Sequence, residues 1–389
     1  MGRLVNFVKY NKWVYKIYRL IGSFLINIAK IFIRKDTKMI VFVSYGGRKY
    51  DDSPKCIYER QVNDYRFSDF HFVWAFRSPE KYSIPLGKKV KIDTLSYYKC
   101  LLKAGCWITN SSVERGLAIT PSRTLYFNSW HGSPIKKLGR DTLEGSSAFG
   151  KSAGYNFDIM LAQSHFDVKV FSAAYGISKN KFRIIGLPRN DELTLSISAD
   201  QSGFIKKKLR IYDNRKVILY APTYREYDRT DDGQIVPKLP FHIDLWRQTL
   251  SSRYVLLFRA HYEVAKLMNI TEDGFIKDVS GYEKLNDLLM ISDILVSDYS
   301  SIFFDFSILH RPMYSYCYDY EKYSSTRGVY FDIREWLPYA LDERGILSLL
   351  ENEDKDSDRE CVIRFQQNFV EEYGNASLKS VDILAEHLL

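Results

Sequence analysis

The sequence is poor in the features that would mark a disulfide scaffold, a metal centre or a membrane span. Its five cysteines, Cys56, Cys100, Cys106, Cys317 and Cys361, are scattered and odd in number, without the short paired spacing of a structural zinc site or a C-x-x-C redox motif. They read as small buried hydrophobes in a reducing compartment. No Pro-, Gly- or Ser-rich tract interrupts the 389 residues. With 46% apolar and 26% charged residues the composition is that of an ordered globular protein. The length exceeds what one hydrophobic core usually organises and predicts two domains of ordinary size.

Acidic residues are missing from the amino-terminal arm. Residues 1–35 carry Arg3, Lys9, Lys12, Lys16, Arg19, Lys30, Arg34 and Lys35 and no Asp or Glu, so most of the formal net charge of +9 lies there. The apolar residues of the arm, among them Trp13, Ile17, Ile21, Phe24, Leu25, Ile28 and Phe32, recur every three or four positions, which predicts a basic amphipathic helix. Its continuous apolar part, Leu20 to Ile33, is 14 residues long and broken by Asn27 and Lys30. That is short of the roughly 20 residues a span requires. The basic residues after it stand where a signal peptide would have a small-residue cleavage site. The arm is expected to lie on an anionic membrane surface, where each basic residue contributes about 1 kcal/mol. A helix packed on the protein's own core is the alternative. A nucleic-acid partner is not expected, because such a protein should show a basic stripe along its folded body.

Aromatics are abundant, with 29 tyrosines and 24 phenylalanines, and runs such as Tyr314, Tyr316, Tyr318, Tyr320 and Tyr323 are expected to serve strand and core packing. From Met39 onward, short apolar runs alternate with stretches of helical length. MIVFVSYGG (39–47), FHFVWAF (70–76), CWITNS (106–111), LYFNSW (125–130), FDIMLAQS (157–164) and FRIIGLP (182–188) form a first series. KVILYAPT (216–223), YVLLFRAHY (254–262), DILVSDYSS (293–301) and RPMYSYCYD (311–319) form a second. The alternation predicts two α/β units with parallel sheets, joined through residues about 187–215. A cleft between the carboxyl ends of their strands is the expected ligand site.

Four motifs stand at predicted strand ends. In NSWHGSPIKKLGRD (128–141), His131 precedes a glycine, Pro134 suits the first turn of a helix, and Lys136 and Lys137 follow. YAPTYRE (220–226) offers Thr223 and Arg225, donors suited to phosphate oxygens, or a surface arginine on a loop. FRAHY (258–262) presents Arg259 and His261 on one side of an extended chain, unless Arg259 serves a structural salt bridge. SDILVSDYSSIFFDFSIL (292–309) reads as a strand, a polar turn with Asp298, Ser300 and Ser301, and an amphipathic helix. Backbone N–H groups and serine hydroxyls at that helix start can hold an anion, although simple capping explains the same letters.

Together with SPKCIYE (53–59), the segment 278–306 and RGVYFD (327–332), these motifs resemble the CDP-glycerol glycerophosphotransferase family of teichoic acid primases and polymerases. The resemblance runs from about Phe42 to Asp332. It implies a GT-B-like α/β fold, two Rossmann-type doubly wound domains facing a cleft. The expected division is an arm at 1–37, an acceptor-side domain at 38–200 and a CDP-donor domain at 201–389. The implied reaction moves glycerol-phosphate or ribitol-phosphate from CDP-glycerol or CDP-ribitol to a hydroxyl of a polyprenyl-linked or other membrane-held glycan, releasing CMP at the cytoplasmic face of the membrane. His131 is the candidate base, with His261 a second catalytic candidate. Arg259, Ser300 and Ser301, then Asp298, Thr223 and Arg225, are expected at the donor phosphates or nucleotide. Lys136 and Lys137 are expected on the acceptor side, and Asp305 and Asp332 receive no role. Neither a D-x-D signature in the cleft segments nor a histidine–carboxylate cluster is present, so no metal and no cofactor are expected. A GT-B sugar transferase using a UDP- or GDP-sugar is the competing reading.

Overall fold

The computed structural model describes residues 12–119, 123–143, 155–223, 225, 239–260 and 270–389. Two parallel sheets organise them. The first contains β1 (Asp36–Val43), β2 (His71–Phe76), β3 (Lys88–Lys91), β4 (Ala104–Thr109), β5 (Leu125–Asn128), β6 (Ile159–Ala162) and β7 (Phe182–Ile184) in the order β3-β2-β1-β4-β5-β6-β7. The second contains β8 (Lys216–Tyr220), β9 (Tyr254–Phe258), β10 (Ile276–Asp278), β11 (Ile294–Ser297), β12 (Met313–Tyr316) and β13 (Tyr339–Ala340) in the order β10-β9-β8-β11-β12-β13. In each sheet the order reverses beside its first strand, the place where doubly wound folds bind ligands. The central strands are buried on both faces, which is why their sequences read as continuous apolar runs. The expectation of α/β units with parallel sheets holds. The short edge strands β3, β10 and β13 were not foreseen, because β3 is largely polar and the other two are only three and two residues long.

The lobes are not separate along the chain. The last helix, Ala376–Leu388, packs Val381, Leu384 and Ala385 against Ile57, Tyr58 and Phe42 of the first lobe. In the opposite direction Ile135, 1% exposed, belongs to the core of the second lobe. The helix His165–Tyr175 also presents Phe166 to Phe369, with ring centroids 5.0 Å apart. Of the five cysteines, all unpaired, only Cys106 and Cys317 are buried; the other three are half-buried.

Within the arm, a helix spans Lys12–Phe32. One side packs on the first lobe. Ile26 is buried, Ala29 and Ile33 lean on the same core, and Asn27 Nδ2 donates to the Ala118 carbonyl at 2.8 Å while Ser23 Oγ accepts from its N–H at 2.8 Å. The other side leaves Trp13, Leu20, Phe24 and Phe32 exposed by 75, 74, 65 and 82%. Val5, Phe7 and Val8, expected from the sequence to continue this apolar face, lie outside the described residues. Among the described residues no helix is long and apolar enough to cross a membrane.

Close approach of β1 and β4 depends on Gly105, where a Cβ would stand 2.2 Å from the Thr37 carbonyl oxygen. Backbone cannot yield as a flexible side chain can. Gly105→Ala is expected to destabilise the protein by about 1–3 kcal/mol, as overpacking of a tight core does, and the midpoint of thermal unfolding will show it. An unchanged midpoint would mean that the sheet edge there is looser than its geometry.

Candidate active site

The cleft between the lobes encloses about 1620 Å³ and is lined by His131 and Arg189 on one side and by Arg259, Ala260 and Ser280 on the other. Its first wall is made by the turns that leave β1 and β5, the helix Asp52–Val62 and the segment after β7. Beyond β5 the chain takes a strained path, with Trp130 at φ 51° and Gly132 at φ 129°. Strain of this kind persists only where the surroundings over-determine it. Here the Trp130 ring is wedged among Tyr155, Phe171 and Tyr175, with centroids 5.1–5.9 Å away, and stacks on the imidazole at 4.7 Å. His131 is thereby turned into the cleft.

The tautomer of His131 follows from its partner. Its Nδ1 lies 2.7 Å from the carbonyl oxygen of Asn110, which can only accept, so the neutral ring carries its proton on Nδ1. Nε2 keeps a lone pair. His131 as a residue is exposed to the cleft, yet its imidazole pKa is lowered, chiefly because the protein mass around the ring withdraws hydration from the charged form. The hydrogen bond to Asn110 and the charge of Asp52 act the other way, and Arg189 and Lys136 add to the lowering.

Behind the histidine lies a buried charge cluster that the sequence analysis left out. Asp52, at φ 64°, accepts from the Tyr45 hydroxyl and, at 3.0 Å, from Arg189 Nη1. Burial would push this carboxyl up, but Arg189, the Tyr45 hydroxyl and the Ser53 N–H hold it below the ordinary carboxylate range. Arg189 also donates to the His131 carbonyl at 2.9 Å and, through Nη2, to both oxygens of Asp305 at 2.9 and 2.8 Å. Asp305 belongs to the second lobe. The available signals were weak: Asp52 directly precedes SPKCIYE, and Arg189 follows Pro188 in a segment taken for a connection.

Beyond Gly132 the structure corrects an expectation. Pro134 does not open a helix; residues 134–138 are irregular, with a bend at Ile135 and an isolated bridge at Lys136. Lys136 bridges antiparallel to Val329, the Lys137 N–H donates to the Gly328 carbonyl at 3.0 Å, and the Tyr330 N–H donates to the Ile135 carbonyl at 2.8 Å. Backbone groups that a helix would satisfy internally are satisfied here by the second lobe. Lys136 and Lys137 therefore sit, half-buried, on the seam.

On the second lobe, Arg259 follows β9 and donates Nη1 to the carbonyls of Val279 and Tyr282, both at 2.9 Å. Desolvation lowers its pKa against the pull of Asp51 and Tyr45 across the cleft. His261 lies outside the described residues. Ser301 meets the first lobe directly, since a Cβ on Gly132 would stand 3.2 Å from its own. Ser300 takes the Ile302 N–H on its Oγ at 3.3 Å. The helix that follows, Ile302–Ser307, is buried throughout rather than amphipathic, because both lobes cover it.

Arg225, Thr223 and Asp298 are turned toward each other. The Arg225 guanidinium is 5% exposed and pairs with Asp298 at 2.9 Å and Asp319 at 2.7 Å, within reach of the Tyr299, Tyr318 and Tyr323 rings. Asp298 accepts from the Thr223 N–H and hydroxyl at 3.0 and 2.8 Å. These contacts are internal to the lobe, the buried counterpart of the loop-arginine alternative. Asp332 holds Arg334 at 2.7 Å. Among the described residues no group of three or more His, Cys, Asp and Glu side chains is gathered for a metal ion.

With this geometry in view, the chain matches the family model described as CDP-Glycerol:Poly(glycerophosphate) glycerophosphotransferase over residues 25–385. It belongs to that family. The teichoic acid glycerol-phosphate transferase of Staphylococcus aureus is 33% identical over 321 residues, 78% of this chain and 80% of that protein. The teichoic acid poly(glycerol phosphate) polymerase of Staphylococcus epidermidis is 32% identical over 82% of this chain, and the match takes in 46% of that polymerase. The chain thus spans about half the length of that relative. The solved structure of the wall teichoic acid polymerase TagF superposes with a TM-score of 0.84 at 29% identity, covering 94% of this chain and 92% of that one. The glycerophosphotransferase family fold is thus the GT-B-like α/β architecture of parallel sheets seen here.

Titrated by NMR, His131 is expected to gain its second proton only below the ordinary imidazole value of about 6.5. Asp52→Asn removes a charge that favours the imidazolium and is expected to move the midpoint lower still. A midpoint above the ordinary value would contradict the burial argument.

Proposed function

We propose that this glycerophosphotransferase-family chain moves glycerol-phosphate, or ribitol-phosphate, from a CDP-polyol to a hydroxyl of a membrane-held acceptor such as a polyprenyl-linked glycan, releasing CMP, in teichoic acid or related cell-wall polymer synthesis. A structure of a histidine-to-asparagine variant of TagF soaked with CDPG, 28% identical to this chain, supports the choice of donor. The observation that carries the reading is the hydrogen bond from His131 Nδ1 to the Asn110 carbonyl, which leaves Nε2 as an acceptor facing the cleft. A base with a depressed pKa is already neutral near pH 7 and ready to take a proton.

In this mechanism the acceptor hydroxyl approaches from the first lobe and gives its proton to His131 Nε2 as its oxygen attacks the polyol-bearing phosphorus. The bond to the CMP oxygen breaks on the far side. Arg259 lies across the cleft, where its cation stabilises charge on the pyrophosphate, and Ser300 and Ser301 supply hydroxyl donors. Positioning and charge provide most of the rate in such transfers. His261 is proposed as a second contact to the leaving phosphate, on the sequence alone. Lys136 and Lys137 are proposed to act on the acceptor side. Arg225, Thr223 and Asp298 shape the serine turn from within.

The arm helix supports a peripheral position on the cytoplasmic face of the membrane. Its inner side is anchored to the protein, and its outer side presents Trp13, Leu20, Phe24 and Phe32 among basic residues, the arrangement of an interfacial helix.

Two experiments address these proposals. Supplied with acceptor-bearing membranes and CDP-glycerol, CDP-ribitol or a UDP-sugar, the protein is expected to release CMP from one CDP-polyol. His131→Ala should lower that rate by roughly 10²-fold or more. UDP release would overturn the donor class, and CMP release indifferent to the substitution would overturn the base. Separately, the protein should co-sediment with phosphatidylglycerol vesicles, and Leu20→Glu with Phe24→Glu should weaken binding at least tenfold. Equal binding by the double variant would remove the helix from the membrane.

A further inference from the structure

The Arg189 guanidinium touches Asp52 and the base turn in the first lobe and Asp305 in the second. It projects from the short 3-10 segment Pro188–Thr194 that follows β7. Through Nη1 it holds Asp52 and the carbonyl of His131; through Nη2 it holds both oxygens of Asp305. Asp305 stands four residues after Ser301 and is held a second time by Asn190 Nδ2 at 2.7 Å. No slack remains around this fork. A Cβ on Gly132 would lie 3.1 Å from Nη2 and 3.2 Å from the Ser301 Cβ, so the base turn, the guanidinium and the serine turn are in mutual contact. The planar guanidinium serves three acceptors in fixed directions, which the point charge of a lysine cannot do. Its Nε is buried with no partner, so the geometry serves the two terminal nitrogens at the expense of the third.

We propose that Arg189 is a positioning residue for the transfer, setting the His131 turn of the first lobe and the serine turn of the second lobe in one frame. This rests on His131 being the base. Arg189 itself need not touch either substrate. By holding the His131 carbonyl it fixes the strained turn from which the imidazole projects. By holding Asp305 it fixes the helix that carries the serine turn. Loss of either grip lets the base drift relative to the phosphorus it must serve, and small misplacements cost large factors in rate.

Charge and geometry can be separated. The groups that shift the His131 imidazole are the Asn110 carbonyl after β4, Asp52 at the start of its helix, Arg189 on the connecting segment and Lys136 on the seam, and the Tyr45 ring after β1 packs 6.1 Å away. Arg189 lowers the imidazole pKa, so removing its charge must raise it. Arg189→Lys keeps the charge and loses the fork, whereas Arg189→Gln loses both. Asp305→Asn keeps the volume and weakens the grip on the second lobe, at a carboxylate that is not among the leading causes of the His131 shift.

The test is the pH dependence of kcat and kcat/KM for CDP-glycerol in the full chain and these variants, with His131→Gln beside them. Arg189→Lys and Asp305→Asn are expected to lower kcat 10- to 100-fold, with KM for CDP-glycerol within about threefold of the parent. Arg189→Gln should in addition move the ascending limb of kcat/KM to higher pH, while Arg189→Lys leaves it in place. Wild-type kcat in Arg189→Lys and Asp305→Asn, beside an inactive His131→Gln, would overturn the positioning role and leave the base intact. Lowered kcat with an unmoved limb in Arg189→Gln would reduce Arg189 to a structural residue and overturn the proposal equally. Full turnover by His131→Gln would remove the base reading and this proposal with it.

Discussion

The site depends on a seam closed by backbone hydrogen bonds. Residues 135–138 leave the first lobe and pair with residues 328–330 of the second, with Tyr330 donating its N–H to Ile135 and receiving the Leu138 N–H on its hydroxyl at 3.1 Å. Ile135 is drawn into the second core by the same pairing. Buried N–H and C=O groups have no acceptable alternative to being paired, so this crossing fixes how close the two sets of strand ends can come. His131, Gly132 and Ser301 meet beside it. The segments WHGSPIKKLG and RGVYFD, far apart in the chain, are the two halves of one contact.

Charge is handled differently on the two sides of the cleft. In the second lobe Arg225 is neutralised by Asp298 and Asp319 and enclosed by tyrosine rings, so it acts as a prop. Arg259, by contrast, has among the described residues only carbonyl partners for Nη1, and carbonyls orient a guanidinium without neutralising it. Its charge remains available to the cleft. In the first lobe Arg189 faces two carboxylates from opposite lobes, and breaking such a buried cluster by removing one partner is costly. The arrangement favours one relative setting of the lobes, the one in which His131 and Arg259 line the same cleft.

Much of the fold was legible in the sequence because parallel strands buried on both faces leave continuous apolar runs, as in Ile40–Val43 or Leu295–Val296. The edge strands β3, β10 and β13 left no such mark. Pro134 misled because its φ suits a helix start and a non-helical segment equally, and only the long-range pairing with residues 328–330 decides between them. The arm was read as either membrane-facing or core-packed. It divides by face, with Ile26 buried and Phe24 exposed two positions away. Of the site, His131 and Arg259 were legible from their places at strand ends. Arg225 looked the same as Arg259, and burial beside Asp298 and Asp319 is the difference. Asp52, Arg189 and Asp305 were illegible in their roles, since their meaning lies in contacts between positions more than 100 residues apart.

A single displacement at phosphorus with His131 as base makes a stereochemical demand. If the acceptor oxygen enters as CMP leaves in line, configuration at the transferred phosphorus inverts. The direct measurement is the configuration of the product formed from CDP-glycerol made chiral with sulfur and oxygen isotopes at that phosphorus. Inversion is the predicted result. Retention would mean two displacements through a covalent phosphoryl-enzyme, with a side chain attacking where the account has one taking a proton, and would contradict it.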